Sequence, residues 1–471
     1  MKMYVGTKWI DTDQKIEVLS PWDGSLYDTV PSASTQDVET ALATAEIGAK
    51  KMAALTGFER YQILHRAADM IVEKREDLAQ TITHEMGKII TEARVEVERA
   101  AEIIYLSAEE AKRLGSEVIP LDGGPGVTHD KFGFTIRVPC GVVLAITPFN
   151  FPLHLVCHKV GPALAAGNAV ISKPTSDTPI VALRLCEIML EAGVPSEAIQ
   201  CITGSGSTVG NALAADPRVR KISFTGSREV GEAICRTAGL KKVTMELGSN
   251  APVIIMPDAD MNKVHTALLS TAYANAGQVC ISTQRIYADS TVYDDFIDSF
   301  SERVGKLSYG DPRDENVQMG PLVRESDAVR VEEWINSAIN DGAKLVTGGS
   351  RNGAFVEPTL LANVDKSMRV SCDELFGPAA GVSKVDNIEE AIALANDTNY
   401  GLSAAIFTES LDSAMKFARQ VDSGNLHINF GTQWRTDLMP YGGVKESGFG
   451  KEGPSYAVEE MTETKMVVMH L

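Results

Sequence analysis

The sequence predicts an α/β protein of two or three domains built on parallel sheets. Its 471 residues exceed what one hydrophobic core organises. Thirty-nine glycines suit repeated strand-to-helix turns, and 44% hydrophobic with 23% charged residues is a globular balance. From Gly141 onward, short apolar runs alternate with amphipathic stretches of about 10–15 residues, as expected of strands covered on both faces by helices.

Residues 1–35 read as short strands, with a turn at Pro21-Trp22-Asp23-Gly24. Residues 35–114 turn helical, with an alanine-rich run from Asp37, a second run over 57–73, and a third over 91–112 rich in i,i+4 charge pairs. Gly123-Gly124-Pro125-Gly126 breaks the pattern, and Phe132, Phe134, Ile136 and Val138 then alternate as a strand. A hairpin over 121–140 is expected, with an edge open to another subunit. Strands follow at 142–146, 168–172, 199–203, 221–225 and 242–246, separated by helices that include 178–192, 204–214 and 230–238. Residues 251–426 form a second alternating unit, and 459–470 read as a strand able to join the 121–140 hairpin. There is no internal repeat and no low-complexity segment.

A net charge of −19 argues against nucleic acid or an anionic membrane as partner, but leaves room for a small anion in a local cationic pocket. Seven cysteines without a CxxC pair suit free thiols in a reducing compartment. Met1–Lys8 lacks the apolar core of a signal peptide, and no apolar run reaches membrane-spanning length, so a cytoplasmic location is expected.

Three residues suggest chemistry. Cys280, in Asn275-Ala276-Gly277-Gln278-Val279-Cys280, fits a buried small hydrophobe as well as a nucleophile. Glu246 closes a very apolar strand, either as a turn capper or as a carboxylate where a sheet opens into a cleft. Asn150 sits between two prolines, as a turn residue or as an amide donor to an oxyanion. Together a thiolate, an amide and a carboxylate suffice to attack a carbonyl, hold the oxyanion and activate water against a thioester.

Here the chain resembles the aldehyde dehydrogenase superfamily over essentially its whole length. Thr147-Pro148-Phe149-Asn150-Phe151-Pro152, Phe224-Thr225-Gly226-Ser227-Arg228-Glu229-Val230-Gly231, Gly277-Gln278-Val279-Cys280 and Glu374-Leu375-Phe376-Gly377-Pro378 stand in the family's order, and Pro440-Tyr441-Gly442-Gly443-Val444-Lys445-Glu446-Ser447-Gly448 also matches. The likeness is strongest to the lactaldehyde and succinate-semialdehyde branch, through Arg435-Thr436-Asp437-Leu438-Met439-Pro440.

The resemblance implies a Rossmann-type cofactor domain (1–120 and 141–246), an α/β catalytic domain (247–450) and a small β oligomerisation element (121–140 and 451–471) serving a homodimer or homotetramer. It implies that Cys280 is the nucleophile, that Asn150 and the Cys280 N–H hold the oxyanion, and that Glu246 is the base for thioester hydrolysis. Glu374 and Phe376 would contact the nicotinamide ribose, Gly226 and Ser227 the pyrophosphate at a helix N-terminus, and Thr147, Pro148 and Gly248 would also bind the cofactor. Lys173 would grip the adenosine ribose. Where NAD-preferring members commonly carry glutamate, this chain has Ser176, which removes repulsion of a 2′-phosphate and favours NADP over NAD. Glu246-Leu247-Gly248-Ser249 replaces the usual Glu-Leu-Gly-Gly, so a strained turn or a narrowed nicotinamide side is expected at Ser249.

For the substrate, Arg435 is the main candidate to meet a carboxylate, phosphate, phosphonate or sulfonate, with His154, Trp434 and Arg99 near it. Glu96, Glu98 and Arg99 also read as a salt-bridged helix face. Succinate-semialdehyde enzymes carry arginine at the places of His158 and Ala274, which counts against that substrate. A small polar or anionic aldehyde is expected, lactaldehyde or a small semialdehyde foremost. A coenzyme-A-acylating enzyme, a succinate-semialdehyde dehydrogenase and a non-catalytic protein on this fold are the alternatives.

Overall fold

The apolar runs after Gly141 form the centre of an eight-stranded sheet in the computed structural model, which describes residues 1–471. Its spatial order is Lys8–Ile10, Met3–Val5, Ile199–Cys201, Ala169–Pro174, Val142–Thr147, Val219–Thr225, Lys242–Glu246 and Gly448–Phe449. The five central strands are parallel, and the outer pairings are antiparallel. The chain builds outward from Val142–Thr147 in one direction, then returns to lay Val219–Thr225 on that strand's other side. That reversal opens a crevice at the carboxyl ends of these two strands, where ligands bind in doubly wound sheets. Thr147-Pro148-Phe149-Asn150 and Thr225-Gly226-Ser227 lead out of those ends.

Residues 247–251 link this sheet to a second one. Its order is Lys344–Thr347, Thr359–Ala362, Ala379–Val385, Arg285–Asp289, Pro252–Ile255, Ser403–Phe407 and Asn425–Ile428, all parallel except the first. Each sheet has its own core. Leu144, Ile171, Ile222 and Met245 belong to one, and Val253, Ile286, Val382 and Phe407 to the other. Burial on both faces explains why these strands read as continuous apolar runs.

The early helices begin where the caps dictate. Ser34 and Asp37 form a capping box at Thr35–Ala54, and Thr56 and Glu59 form another at Gly57–Glu73. Three local expectations change. Residues 204–214 divide into a π-turn, Gly206–Gly210, and a short α-helix, Asn211–Ala215, because the glycines at 204, 206 and 210 interrupt a continuous helix. The partner of Lys131–Pro139 within the expected hairpin is Val118–Ile119, just before 121–140, with a 3-10 turn at Leu121–Gly123 between them. Pro454 starts a helix, Pro454–Glu460, so the terminal strand begins only at Thr462.

Thr462–His470 pairs along its whole length with Lys131–Pro139. This three-stranded sheet leaves Phe132, Ile136, Met466 and Val468 exposed. No helix is long and apolar enough to cross a membrane.

Candidate active site

A cavity of about 910 Å³ lies between the carboxyl edge of the first sheet and the amino edge of the second. Asn150 and Glu246 reach it from strand ends of the first sheet. Cys280 and Glu374 reach it from loops that precede strands of the second. Pro148, Gly226, Ser227, Gly248, Phe376, His154 and Arg435 also line it, whereas Thr147, Lys173 and Ser176 lie outside the lining.

Backbone conformation presents Cys280. Asn275, Ala276 and Gly277 are consecutively left-handed, with φ of 51°, 54° and 71°. A Cβ on Gly277 would stand 2.1 Å from the Gly377 carbonyl oxygen, so only glycine fits. The strain at Ala276, about 1–2 kcal/mol for an L-residue, is held by a satisfied surround. The Asn275 N–H donates to the Glu92 carboxylate at 3.1 Å, and the Gln278 amide donates to the Asn275 carbonyl at 3.1 Å and accepts from Val323 at 2.9 Å. Burial pushes the Cys280 thiol up to about 12, against which a hydrogen bond with the Tyr441 hydroxyl acts.

Asn150 is equally fixed. Its Nδ2 donates to the Gln278 carbonyl at 2.9 Å, and its own carbonyl accepts from Lys88 at 2.8 Å and Asn275 at 3.2 Å. Lys88 is fully buried, pairs with Glu96 and stands 3.7 Å above the Phe151 ring. Glu96 in turn accepts from the Leu153 and His154 N–H groups at 3.0 and 3.2 Å, tying the turn after Asn150 to the helix Ile90–Ala111.

The opposite wall is incompletely paired. Both oxygens of buried Glu246 lack a hydrogen-bond partner. Burial, with the neighbouring Glu452 charge second, raises its carboxyl well above the usual range. Glu452 accepts from Lys159 at 3.0 Å and from Arg435 at 3.3 Å. Burial raises it, but Lys159, His158 and Arg435 together prevail and hold it below the ordinary carboxylate range. Lys159 also donates to Thr225 at 2.7 Å, within a helix, His154–Ala165, whose every residue is buried.

Arg435 is buried rather than presented at the mouth. It donates to His158 Nε2 at 2.8 Å and to Glu452, and its guanidinium stacks 3.8 Å from the Tyr441 ring centre. A guanidinium only donates, so His158 accepts through Nε2. Burial, then Arg435, lowers the His158 pKa, which favours the neutral ring. Asp437 gathers this corner. One oxygen accepts from Arg99 at 2.9 Å and lies 3.2 Å from His158, 3.4 Å from His154 and 3.6 Å from Arg435. Its other oxygen has no hydrogen-bond partner, and the His154 Nε2 and Arg435 Nε make no hydrogen bond beyond those ion-pair contacts.

Arg99 therefore does not belong to a local salt-bridged face. Glu96 is taken by Lys88 and Glu98 by Arg75. Trp434 is half exposed and lines no part of the cavity. Sequence reasoning missed Lys159, Glu452, Tyr441, Asp437 and Lys88. One signal was present for Lys159, a charged residue inside a helix that is otherwise apolar except for His154 and His158.

At the far end, a Cβ on Gly248 would meet the Glu374 carboxylate at 2.3 Å, so glycine lets the two segments close. The Ser249 N–H donates to Glu374 at 3.0 Å. Ser249 has no left-handed φ, so the expected turn strain is absent. Burial pushes Glu374 up to about 7, with the Ser249 hydrogen bond opposing. The bulky Phe376 is left-handed (φ 52°) and meets Phe149 edge-on at 5.9 Å, a strained residue on the cavity wall. The Ser227 side chain accepts from Val230 N–H at the start of Arg228–Ala238, which points a helix N-terminus at the cavity. Lys173 is buried with only the Pro174 carbonyl as partner, and burial lowers it to about 8. Half-buried Ser176 adjoins Asp177, whose charge Arg324 already neutralises. An ammonium without a carboxylate, an uncharged hydroxyl and a helix N-terminus directed at the cavity fit the anionic groups of a dinucleotide.

Comparison with known proteins gives the family of the chain. The sequence profile of the Aldehyde dehydrogenase family matches residues 9–467. The chain is 46% identical to a 3-sulfolactaldehyde dehydrogenase of Priestia aryabhattai, over 100% of this chain and 98% of that protein. It is 40% identical to a lactaldehyde dehydrogenase of Methanocaldococcus jannaschii, over 99% of this chain and 100% of the relative. Among solved structures it is similar to a glyceraldehyde-3-phosphate dehydrogenase of Methanocaldococcus jannaschii complexed with NADP, at 39% identity and a TM-score of 0.94, covering 98% of this chain and 100% of the other. The chain belongs to the aldehyde dehydrogenase family and is a nicotinamide-dependent oxidoreductase acting on aldehydes.

Proposed function

We propose that the protein oxidises a short aldehyde bearing one negative charge to its carboxylic acid, with NADP favoured over NAD. The observation that carries the substrate reading is the charge balance around Asp437 and Glu452. Three cations, Arg99, Lys159 and Arg435, contact these two carboxylates. With the neighbouring Glu246 carboxyl held protonated by burial, one positive charge is thus in excess, beside a His154 Nε2 and an Arg435 Nε that make no hydrogen bond. A monoanionic sulfonate or carboxylate balances that corner, and 46% identity to a 3-sulfolactaldehyde dehydrogenase favours a sulfonate. Ser176 and the neutralised Asp177 favour the 2′-phosphate of NADP.

In this reading the first-sheet unit (1–120 and 141–246) holds the cofactor, the second (247–450) carries the nucleophile, and the three-stranded sheet from 121–140 and 451–471 joins subunits. Cys280 adds to the aldehyde carbon to give a thiohemiacetal. The Asn150 amide and the Cys280 N–H stabilise its oxyanion. Bound nicotinamide supplies the hydride acceptor, with Glu374 and Phe376 placing its ribose. The remaining thioester is attacked by water, whose proton passes to Glu246, and the acid leaves.

A substrate panel tests the reading, with sulfonated, carboxylated, phosphorylated and uncharged lactaldehyde-type substrates assayed with each cofactor. Monoanionic substrates with NADP should have the highest kcat/KM, and Arg435→Ala should remove most of the advantage over uncharged lactaldehyde, about tenfold or more. Equal use of uncharged lactaldehyde, or an Arg435→Ala variant that keeps full discrimination, contradicts it. Acyl-coenzyme A in place of free acid would instead identify an acylating enzyme.

A further inference from the structure

The hydroxyl of Tyr441 lies 3.3 Å from the Cys280 sulfur and has no other hydrogen-bond partner. Tyr441 is buried on the cavity wall, and the Arg435 guanidinium covers its ring at 3.8 Å. A cation over an aromatic face draws electron density from it and makes the phenol a stronger donor. Arg435 is itself held by His158 and Glu452, which fixes the ring beneath it. The arrangement resembles an oxyanion donor turned toward sulfur.

We propose that Tyr441 is a catalytic residue that donates its hydroxyl proton in a hydrogen bond to the Cys280 thiolate, with Arg435 positioning and polarising its ring. This rests on Cys280 being the nucleophile and adds a donor that stabilises the sulfur before it attacks. No bond to carbon changes at Tyr441, and the phenol keeps its proton throughout.

The ionisable groups facing the sulfur are Tyr441, Glu246, Glu374 and Arg435, and those facing the Tyr441 hydroxyl are Cys280, Arg435 and Glu246. The two carboxyls oppose thiolate formation, whereas the hydroxyl and the guanidinium favour it. Removing the hydroxyl alone leaves every charge in place.

The test is the pH dependence of Cys280 alkylation by iodoacetamide in the intact enzyme, read by mass spectrometry of its peptide. Exposed Cys372 in the same sample serves as the reference thiol. Tyr441→Phe keeps the ring under Arg435, and should slow Cys280 alkylation near neutral pH about tenfold by moving its profile upward about one pH unit. Cys372 alkylation should not change, and kcat/KM should fall with the thiolate fraction. Replacing Tyr441 by 3-fluorotyrosine, whose phenol is more acidic, should move the profile downward, and this near-isosteric change covers the case in which the phenylalanine variant misfolds. Superimposable Cys280 profiles in either folded variant and the wild type would overturn the proposal. Loss of oxidation with an unchanged alkylation profile would also overturn it. Full oxidation activity in Cys280→Ser would remove the underlying nucleophile reading instead.

Discussion

The two walls of the cavity are built on opposite terms. On the Asn150 wall the buried polar groups are paired. Lys88 meets Glu96 and the Asn150 carbonyl, Glu96 takes two backbone N–H groups, and Asn275 and Gln278 close the rest. On the Arg435 wall both Glu246 oxygens, one Asp437 oxygen, His154 Nε2 and Arg435 Nε are left open. Buried polar groups are normally satisfied, and orphans call for an explanation. In the proposed reading, the satisfied wall holds groups that must stay still, namely Asn150 as oxyanion donor and the left-handed turn before Cys280 as nucleophile. In the same reading, the open wall keeps its valences for the charged end of the proposed substrate and the water that would end the cycle.

The contrast is broken most severely from the satisfied side. Lys88→Met leaves Glu96 buried without its cation, which should lower stability by about 3–5 kcal/mol in urea unfolding. In the folded fraction, a displaced Asn150 amide should lower kcat about 100-fold, with substrate KM little changed. A Lys88→Met enzyme with normal kcat would show that Asn150 is held without this pair.

A smaller effect is expected on the open side. As the proposed base, Glu246 would act only when ionised, and burial and then the Glu452 charge raise its carboxyl. Its activity is therefore lost as pH falls through a limb displaced above the usual carboxylate range. Glu452→Gln removes the nearby negative charge and frees Lys159 and Arg435 to favour the Glu246 carboxylate. The acid limb of kcat against pH should move to lower pH. Movement to higher pH, or none, would show that the two carboxyls do not communicate.

The fold class was legible because two-sided burial leaves its mark on single strands, as in Val142–Thr147 and Pro252–Ile255. Asn150, Glu246 and Cys280 were legible as candidates because each lies in a motif beside a strand end or turn, and the structure brings all three to one cavity. The supporting network was hidden by distance along the chain. Arg99 reads as part of a charged helix until Asp437 appears 338 residues later, and Lys159 and Glu452 are 293 residues apart. Arg435 was visible as a candidate cation for an anionic substrate. Its burial against Tyr441, Glu452 and Asp437 depends on a loop whose path no local pattern specifies. Helix boundaries failed where glycine and proline intervened, at 204–210 and at Pro454.

The most direct measurement of the proposed chemistry is the first turnover of Glu246→Gln, followed by absorbance of the reduced cofactor. A burst of about one cofactor reduced per active site is expected, because attack by Cys280 and oxidation precede the step that needs Glu246. Steady turnover after the burst should be slower than wild type by about 10²–10⁴-fold. Cys280→Ala should give no burst at all. A Glu246→Gln enzyme with wild-type steady turnover, or a burst that survives in Cys280→Ala, would contradict the assignment of nucleophile and base.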